Sequence, residues 1–193
     1  MPKEFFADFP IIKYNNEPVR DISIRIDILE NVKSDSYAFL PYTIKDGERA
    51  EEVAYLYYGN PKYVWIVYLS NNIIDPYFEW PLDNYEFEQT LAKTYAAQAL
   101  AASPSNVGWQ AVVEWANSTS TTSNIVYYRR ISDPTVRMNK DGLAFVTDAA
   151  DWQAVRVYDY EFEKNESRRN IQLLNKEYVS IAERNLTRLL NER

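Results

Sequence analysis

The acidic side chains are the residues with which this chain could do catalytic chemistry. Glycoside hydrolysis, for example, needs two carboxyl groups facing each other across about 5–9.5 Å. Five acidic residues lie close together in one stretch of the sequence: Asp75, Glu79, Asp83, Glu86 and Glu88. Because the chain contains 28 Asp and Glu residues, such a cluster is expected by chance and is typical of a solvated surface. We therefore predict that the chain is not an enzyme.

Other kinds of chemistry are excluded by residue types that the chain lacks. It contains no Cys and no His. Without Cys there is no disulfide, no thiolate nucleophile and no cysteine zinc site, and without His there is no Ser-His-Asp triad. A glycine-rich phosphate loop is missing, and residues 133–142 lack the alternating acids of a calcium loop. The sequence predicts no cofactor, no metal ion and no catalytic residue.

Charge and hydropathy narrow the classes of partner. The net charge of −7 has the wrong sign for a protein that gains its affinity from phosphate contacts, so no nucleic acid is expected. No apolar run approaches the roughly 20 residues that span a bilayer, and Glu4 and Asp8 interrupt the N-terminal apolar stretch, unlike a secretory signal. We expect a soluble intracellular product that does not bind membranes.

Aromatic residues are the most unusual part of the composition. The 16 Tyr, 8 Phe and 5 Trp residues exceed what one small core accommodates, and aromatic side chains are enriched at protein interfaces. They also stack on sugar rings, and the sequence does not separate the two uses. The aromatic candidates for a protein interface are Phe5, Phe6 and Phe9 near the N-terminus and Tyr77, Phe78 and Trp80 in a later cluster that also includes Tyr85.

The elements that must position these residues fall into four predicted segments. Residues 1–40 form an arm and a strand: the prolines of residues 1–21 favour an extended arm, and isoleucine at every second position from Ile22 to Ile28 predicts a strand. Alternatively, Asp21 caps a helix there. The other segments are a core (41–80), a helix with inserted hairpins and a return strand (81–165), and a C-terminal helix (166–193).

The core segment has the sharpest local signals. Gly59 ends one predicted helix, and Asn60-Pro61 begins the next. The apolar run Val64–Leu69 predicts that this second helix is buried on most sides. In order, the predicted elements are the strand Tyr42–Ile44, the turn Asp46-Gly47, the helix Ala50–Tyr58 and the helix Pro61–Ser70.

Residues 81–165 are predicted to contain a helix, two hairpins and a strand. The helix runs from Asn84 to Ala102. The first hairpin joins the strand-like runs 109–116 and 125–131 through a polar, mobile tip, and the second turns at residues 139–142, between Val136 and Val146. A strand from Val155 to Phe162 follows.

The C-terminal segment is predicted to be one long amphipathic helix, from about Glu166 to Asn191. Its apolar stripe consists of Ile171, Leu174, Tyr178 and Ile181. Residues 164–193 carry seven Lys and Arg residues and four Glu residues, whereas the rest of the chain is acidic. Such a helix is expected to attach to a partner, although it can also fold back on its own acidic body.

Residues 42–76 resemble a LysM module, with the pattern residues Tyr42, Gly47, Ala54, Tyr58, Gly59, Trp65, Asn72 and Ile73 in order. Glu48-Arg49 replaces the usual Asp-Thr, and the closing strand does not follow Pro76, so Val155–Phe162 is the candidate. The resemblance implies an α+β fold with a small βααβ core. It also implies an alternative function, the binding of N-acetylglucosamine polymers of the cell wall. The groove would be lined by Asp46, Gly47, Glu48, Arg49, Asn71, Asn72, Ile73 and Asp75.

A wider resemblance covers roughly residues 20–85 and 155–180. The runs PYTI (41–44), DGERAEEVAYLYYGNP (46–61), NNIIDPYFEW (71–80) and YDYEFEKNESRRNIQLLNKEY (158–178) are similar to the gene-fifty-three family of baseplate wedge proteins from T-even-like contractile-tailed phages. This resemblance implies a non-enzymatic virion protein of the tail baseplate, assembled in the host cytoplasm. Its partners would be other baseplate wedge and hub-proximal proteins in a hetero-oligomeric assembly, with the LysM-like core reused for protein contacts.

Overall fold

The computed structural model describes residues 10–21, 35 and 37–191, and it confirms the predicted α+β class. The predicted strand Ile22–Ile28 and the interface candidates Phe5, Phe6 and Phe9 lie outside the described residues. The strands are β1 (Ile11–Tyr14), β2 (Glu17–Arg20), β3 (Phe39–Thr43), β4 (Ile125–Arg130), β5 (Arg137–Asn139), β6 (Trp152–Arg156) and β7 (Asn170–Leu174). The α-helices are α1 (Ala50–Tyr58), α2 (Val64–Ser70), α3 (Pro76–Glu79), α4 (Asn84–Ala102), α5 (Trp109–Asn117), α6 (Val157–Ser167) and α7 (Lys176–Asn191).

The chain divides into two compact units. The first unit combines Met1–Pro81 with Arg168–Arg193, and the second unit is the continuous segment Leu82–Ser167. The first unit is therefore built from two stretches that are far apart in the sequence, whereas the second is built from one.

The core of the first unit is a two-stranded sheet covered by helices. Strands β3 and β7 pair antiparallel, with Phe39 opposite Leu174 and Thr43 opposite Asn170. Their inward side chains pack with those of α1 and α2, and the buried members of this core include Ile44, Val53, Ala54, Val67, Ile171 and Leu173. Burial of these apolar side chains is the main stabilising contribution in the unit.

The helices of this core begin and end where their capping residues predict. Helix α1 has the predicted bounds, and Gly59 closes it with a φ of 78°, a left-handed conformation that glycine adopts without steric cost. The side chain of Asn60 then accepts a hydrogen bond from the Lys62 N–H, and Pro61 starts a 3₁₀ turn that leads into α2. These two predictions are confirmed.

The predicted partner strand and the predicted C-terminal helix are wrong in their positions. The strand that closes the core is β7 and not Val155–Phe162, and the last helix begins at Lys176 and not at Glu166. Ile171 and Leu174 are spaced as on a helix, but Ile171 and Leu173 alternate as on a strand. Residues 170–174 form a strand because β3 needs a partner for its backbone N–H and carbonyl groups, and these residues supply it.

Residues 11–20 form a hairpin instead of the predicted extended arm. Asn15 and Asn16 have φ values of 48° and 66°, and together they make the left-handed two-residue turn that joins β1 to β2. Pro18 pairs with Lys13 next to the hydrogen-bonded pair that closes the turn, so it occupies a position that requires no N–H in the ladder. Every strand residue of the hairpin is exposed.

The second unit packs three helices and a three-stranded sheet. Helices α4, α5 and α6 surround a buried cluster that includes Phe87, Leu91, Val112, Trp115 and Val157. The antiparallel sheet has the order β5-β4-β6. Helix α4 has the predicted bounds, and β4 lies where a strand was expected.

Both predicted hairpins of this unit are wrong. Residues 109–117 form α5 because Val112, Trp115 and Ala116 recur at helical spacing and are buried on one face. The polar stretch after α5 is a loop in which Asn124 donates hydrogen bonds to the carbonyls of Trp115 and Ser118. Strand β5 pairs with β4, and residues 140–145 that follow it form a 3₁₀ helix. The predicted strand Val155–Phe162 is strand only to Arg156.

Candidate protein interface

The first loop of the predicted sugar groove uses its polar groups inside the first unit. The Glu48 carboxylate accepts hydrogen bonds from the Tyr42 hydroxyl at 2.8 Å and from the Lys45 N–H at 3.0 Å. Burial and the Glu48 carboxylate together raise the pKa of Tyr42 to about 12. Asp46 forms an ion pair with the buried Arg169 at 2.9 Å. Gly47 occupies the turn with a φ of 70°, and the Arg49 N–H donates to Glu52.

The second loop of the predicted groove is also held by internal hydrogen bonds. The Asn71 side chain donates to the carbonyls of Val67 and Gln172 and accepts from the Gln172 N–H, at 2.7–2.8 Å. Asn72 is exposed with a φ of 54°, and the Ile73 N–H donates to the Tyr68 carbonyl. Asp75 caps α3. Most polar groups expected to face a sugar therefore already have partners within the chain, and the glycan groove stays a prediction.

Two of the five residues of the acidic cluster cap helices. Asp75 accepts from the Tyr77 N–H and Asp83 from the Glu86 N–H, which satisfies backbone groups at helix N-termini. Within the part of the chain that the structure describes, no group of three or more acidic residues is placed to hold a metal ion. Nor does any helix among those residues have the length and apolar character to cross a membrane.

The predicted aromatic cluster separates into anchored and exposed residues. The Trp80 indole N–H donates to the Glu48 carbonyl at 2.9 Å, and its ring lies edge-on to Tyr68. By contrast, Tyr77 is 89% exposed, Phe78 73% and the neighbouring Ile74 66%. We call Ile74, Tyr77 and Phe78 the aromatic knob. Such a group of exposed apolar side chains is typical of an interaction site.

The backbone beneath the aromatic knob is fixed by several hydrogen bonds. The Glu79 carboxylate accepts from the N–H groups of Ile74 and Asp75, at 2.6 and 3.0 Å, and these bonds lower the pKa of Glu79. The Asp75 side chain caps the N-terminus of α3, and Trp80 anchors the chain immediately after the C-terminus of this helix. The backbone of the knob is thus fixed before any partner binds, which reduces the entropy lost on binding.

The four C-terminal interface candidates are covered by the first unit itself. Ile171 and Leu174 are 5% and 0% exposed within the sheet. Tyr178 and Ile181 are half-buried on α7 and pack against the cluster that contains Leu174, and the Tyr178 hydroxyl donates to the Asp35 carboxylate. Of the two possibilities left open by the sequence, this part of α7 adopts the one in which the helix folds back.

The second unit carries a surface feature that the sequence pattern does not predict. An apolar groove of about 330 Å³ runs between α4 and the start of α5. The residues that define this apolar groove are Ala92, Lys93, Ala96, Leu100, Val107 and Trp109. The alanine-rich end of α4 is the sequence signal that could have revealed it, because alanine on an exposed helix face leaves space that longer side chains would fill.

Comparison with known proteins gives consistent matches over almost the whole chain. The sequence profile described as base plate wedge protein 53 matches residues 23–189. The chain is also 27% identical over 201 aligned residues to the baseplate wedge protein gp53 of Enterobacteria phage T4, covering 97% of this chain and 96% of that protein.

Proposed function

Because the chain belongs to the base plate wedge protein 53 family, we propose that it joins neighbouring wedge proteins through exposed aromatic surface. Membership makes it a structural protein of the tail baseplate in the virion of a contractile-tailed phage, and not an enzyme. As a wedge protein it assembles with other baseplate proteins. The proposal concerns which surface makes the contacts and what kind of contacts these are.

The observation that carries the proposal is the exposed, pre-organised aromatic knob. Tyr77 and Phe78 are among the most exposed large apolar side chains of the described residues. Rings of this kind contribute most to binding when they fill a pocket on a partner. Hydrogen bonds from the Ile74 and Asp75 N–H groups to Glu79 hold the backbone beneath the rings in place in the free chain, so that little backbone ordering is needed on assembly.

The rest of the first unit serves as the platform for this contact. The strand–helix–helix–strand order of β3, α1, α2 and β7 supports the interpretation of this core as LysM-like and reused for protein contacts. The β1–β2 hairpin is a second contact. Its strands expose Ile11, Ile12, Tyr14 and Val19, and an isolated two-stranded hairpin is marginally stable in water, so packing on a neighbour would stabilise it.

The proposed partners are other wedge and hub-proximal proteins, in a hetero-oligomer that forms in the host cytoplasm. To test the contact, the full chain is co-expressed with the other wedge proteins of its phage, and the complexes are separated by sedimentation. The double variant Tyr77→Ser/Phe78→Ser is expected to lose most of the co-sedimenting chain. Phe145→Ser is the matched control, because Phe145 is 87% exposed and lies outside the knob.

Two outcomes would contradict the proposal. The first is a double variant that enters wedge complexes as well as the unmodified chain. The second is saturable binding of chitin oligomers by the unmodified chain that is abolished by Asn72→Ala, since this would favour the glycan-binding function of a LysM module.

A further inference from the structure

We propose that the aromatic knob of one copy of this chain inserts into the apolar groove on the second unit of another copy. This contact rests on the proposed function and deepens it, because it identifies a second copy as one of the partners that the knob contacts.

The apolar groove has the shape of a receptor for aromatic rings. Ala92, Ala96 and Leu100 follow one another at every fourth position of α4, which makes a strip about 12 Å long at 1.5 Å per residue. The two alanines leave the floor open, and Val107 and Trp109 stand beside it. A volume of about 330 Å³ gives room for the rings of a Tyr-Phe pair.

The walls of the groove are fixed before any ligand enters. The Asn106 side chain donates a hydrogen bond to the Ala99 carbonyl at 2.8 Å and so holds the loop that carries Val107. The Trp109 ring lies edge-on to the Tyr85 ring, with centroids 6.2 Å apart. A fixed backbone beneath the knob and a preformed groove both reduce the entropic cost of association.

Charge at the groove complements the charge beside the knob. Lys93 is the charged residue that lines the groove, and the knob is flanked by the carboxylates of Asp75 and Glu79. Two carboxylates brought near Lys93 support binding.

The contact is heterologous, since a knob on one copy meets a groove on another. A pair of copies joined in this way still offers one free knob and one free groove, so the association continues as a ring or an open chain. Two aromatic residues bury about 150–250 Å² each, well short of the area of a stable dimer. The contact is therefore weak for the isolated chain, with a dissociation constant of roughly 0.1–1 mM, and becomes effective when an assembly holds copies close together.

Sedimentation equilibrium of the full chain between about 20 μM and 1 mM tests this contact. The unmodified chain is expected to associate with increasing concentration. The knob variant Tyr77→Ser/Phe78→Ser and the groove variant Ala96→Trp are each expected to lower the association constant at least tenfold. Lys93→Glu is expected to lower it several-fold at low salt and less at high salt, and Phe145→Ser is expected to leave it unchanged.

A mixture of the two variants is the decisive sample. The knob variant keeps its groove and the groove variant keeps its knob, so the mixture is expected to form one-to-one dimers with the affinity of the unmodified chain and no larger species. A chain that stays monomeric at 1 mM, or a mixture without dimers, would overturn the inference. Ala96 is exposed, but if Ala96→Trp does not fold by circular dichroism, Leu100→Ser takes its place.

The same variants separate this inference from the proposed function. If the copy–copy contact is absent but the knob variant still fails to enter wedge complexes, only the inference is wrong. If the knob variant enters those complexes normally, the proposed function fails as well.

Discussion

In each unit of this protein, one asparagine side chain connects two distant segments of the chain. Both asparagines do so through the same pair of hydrogen bonds, to the N–H and the carbonyl of one residue. In the first unit, Asn71 accepts from the N–H of Gln172 and donates to its carbonyl, at 2.7 and 2.8 Å. In the second unit, Asn165 does the same to Leu82, at 2.8 and 3.0 Å. Each side chain imitates the pairing of a strand and joins segments more than 80 residues apart in sequence.

The two asparagines differ in their access to water. Asn165 is 4% exposed, whereas Asn71 is half-buried in a surface loop. When a hydrogen-bonding side chain is removed, an accessible backbone group can bond to water instead, but a buried one loses its bond outright. The hydrogen bonds of Asn165 are therefore expected to contribute more to stability than the equivalent bonds of Asn71.

The largest effect is expected for Asn165→Ala. We expect a loss of about 2–3 kcal/mol in the free energy of unfolding, because the Leu82 N–H and carbonyl both lose the buried Asn165 side chain as a partner. The loss is measured by urea unfolding, and hydrogen exchange shows whether it is confined to residues 82–167. Asn117→Ala is the matched control, since Asn117 is an exposed asparagine of the same unit and its removal should change stability little.

A smaller effect is expected for Asn71→Ala. This side chain makes three hydrogen bonds, one more than Asn165 makes with Leu82, yet we expect a loss of only about 1 kcal/mol because water replaces its bonds to Gln172. The Gln172 N–H should exchange faster with solvent in the variant. A loss equal to or larger than that of Asn165→Ala would mean that the number of bonds, and not their burial, determines the contribution.

The parts of the fold that the sequence predicted are those set by neighbouring residues. Helix α1 ends at Gly59 because glycine adopts the left-handed conformation there, and α4 has the predicted bounds. The position of β7 depends on an unpaired strand about 130 residues earlier, which no local pattern reports. The dense run of apolar residues in α5 fits the period of a strand as well as that of a helix, so the sequence predicts a strand there.

The candidate interface was predictable to a similar extent. Composition identified Tyr77, Phe78 and Trp80 as an unusual aromatic cluster, and two of the three are exposed. Trp80 is anchored instead, because its hydrogen-bond acceptor is a carbonyl 32 residues earlier in the chain. The apolar groove is made by the packing of α4 and α5, so it could not be located while residues 109–116 were expected to form a strand.

The smallest effect expected concerns alkaline pH, where the two units should behave alike. Each contains a tyrosine hydroxyl that donates to a glutamate: Tyr42 to Glu48 and Tyr95 to Glu161. Burial, followed by the glutamate, raises the pKa of both to about 12, above the value of about 10 in an unfolded chain. Below pH 10 the tyrosines are protonated in both states, and their contribution is complete. As the pH rises from 10 towards 12, the unfolded chain ionises first and stability falls.

Tyr42→Phe and Tyr95→Phe test this similarity between the units. Each substitution is expected to reduce the decline of the urea midpoint between pH 9 and 11.5 by a similar, modest amount, since both hydroxyls are only partly buried and solvent screens them. Other tyrosines with raised pKa values, such as Tyr68, should maintain part of the decline in both variants. If the decline is unchanged in one variant alone, the tyrosine replaced there ionises at the same pH in the folded and unfolded states. The two units would then resemble each other in their asparagine hydrogen bonds but not in their response to alkaline pH.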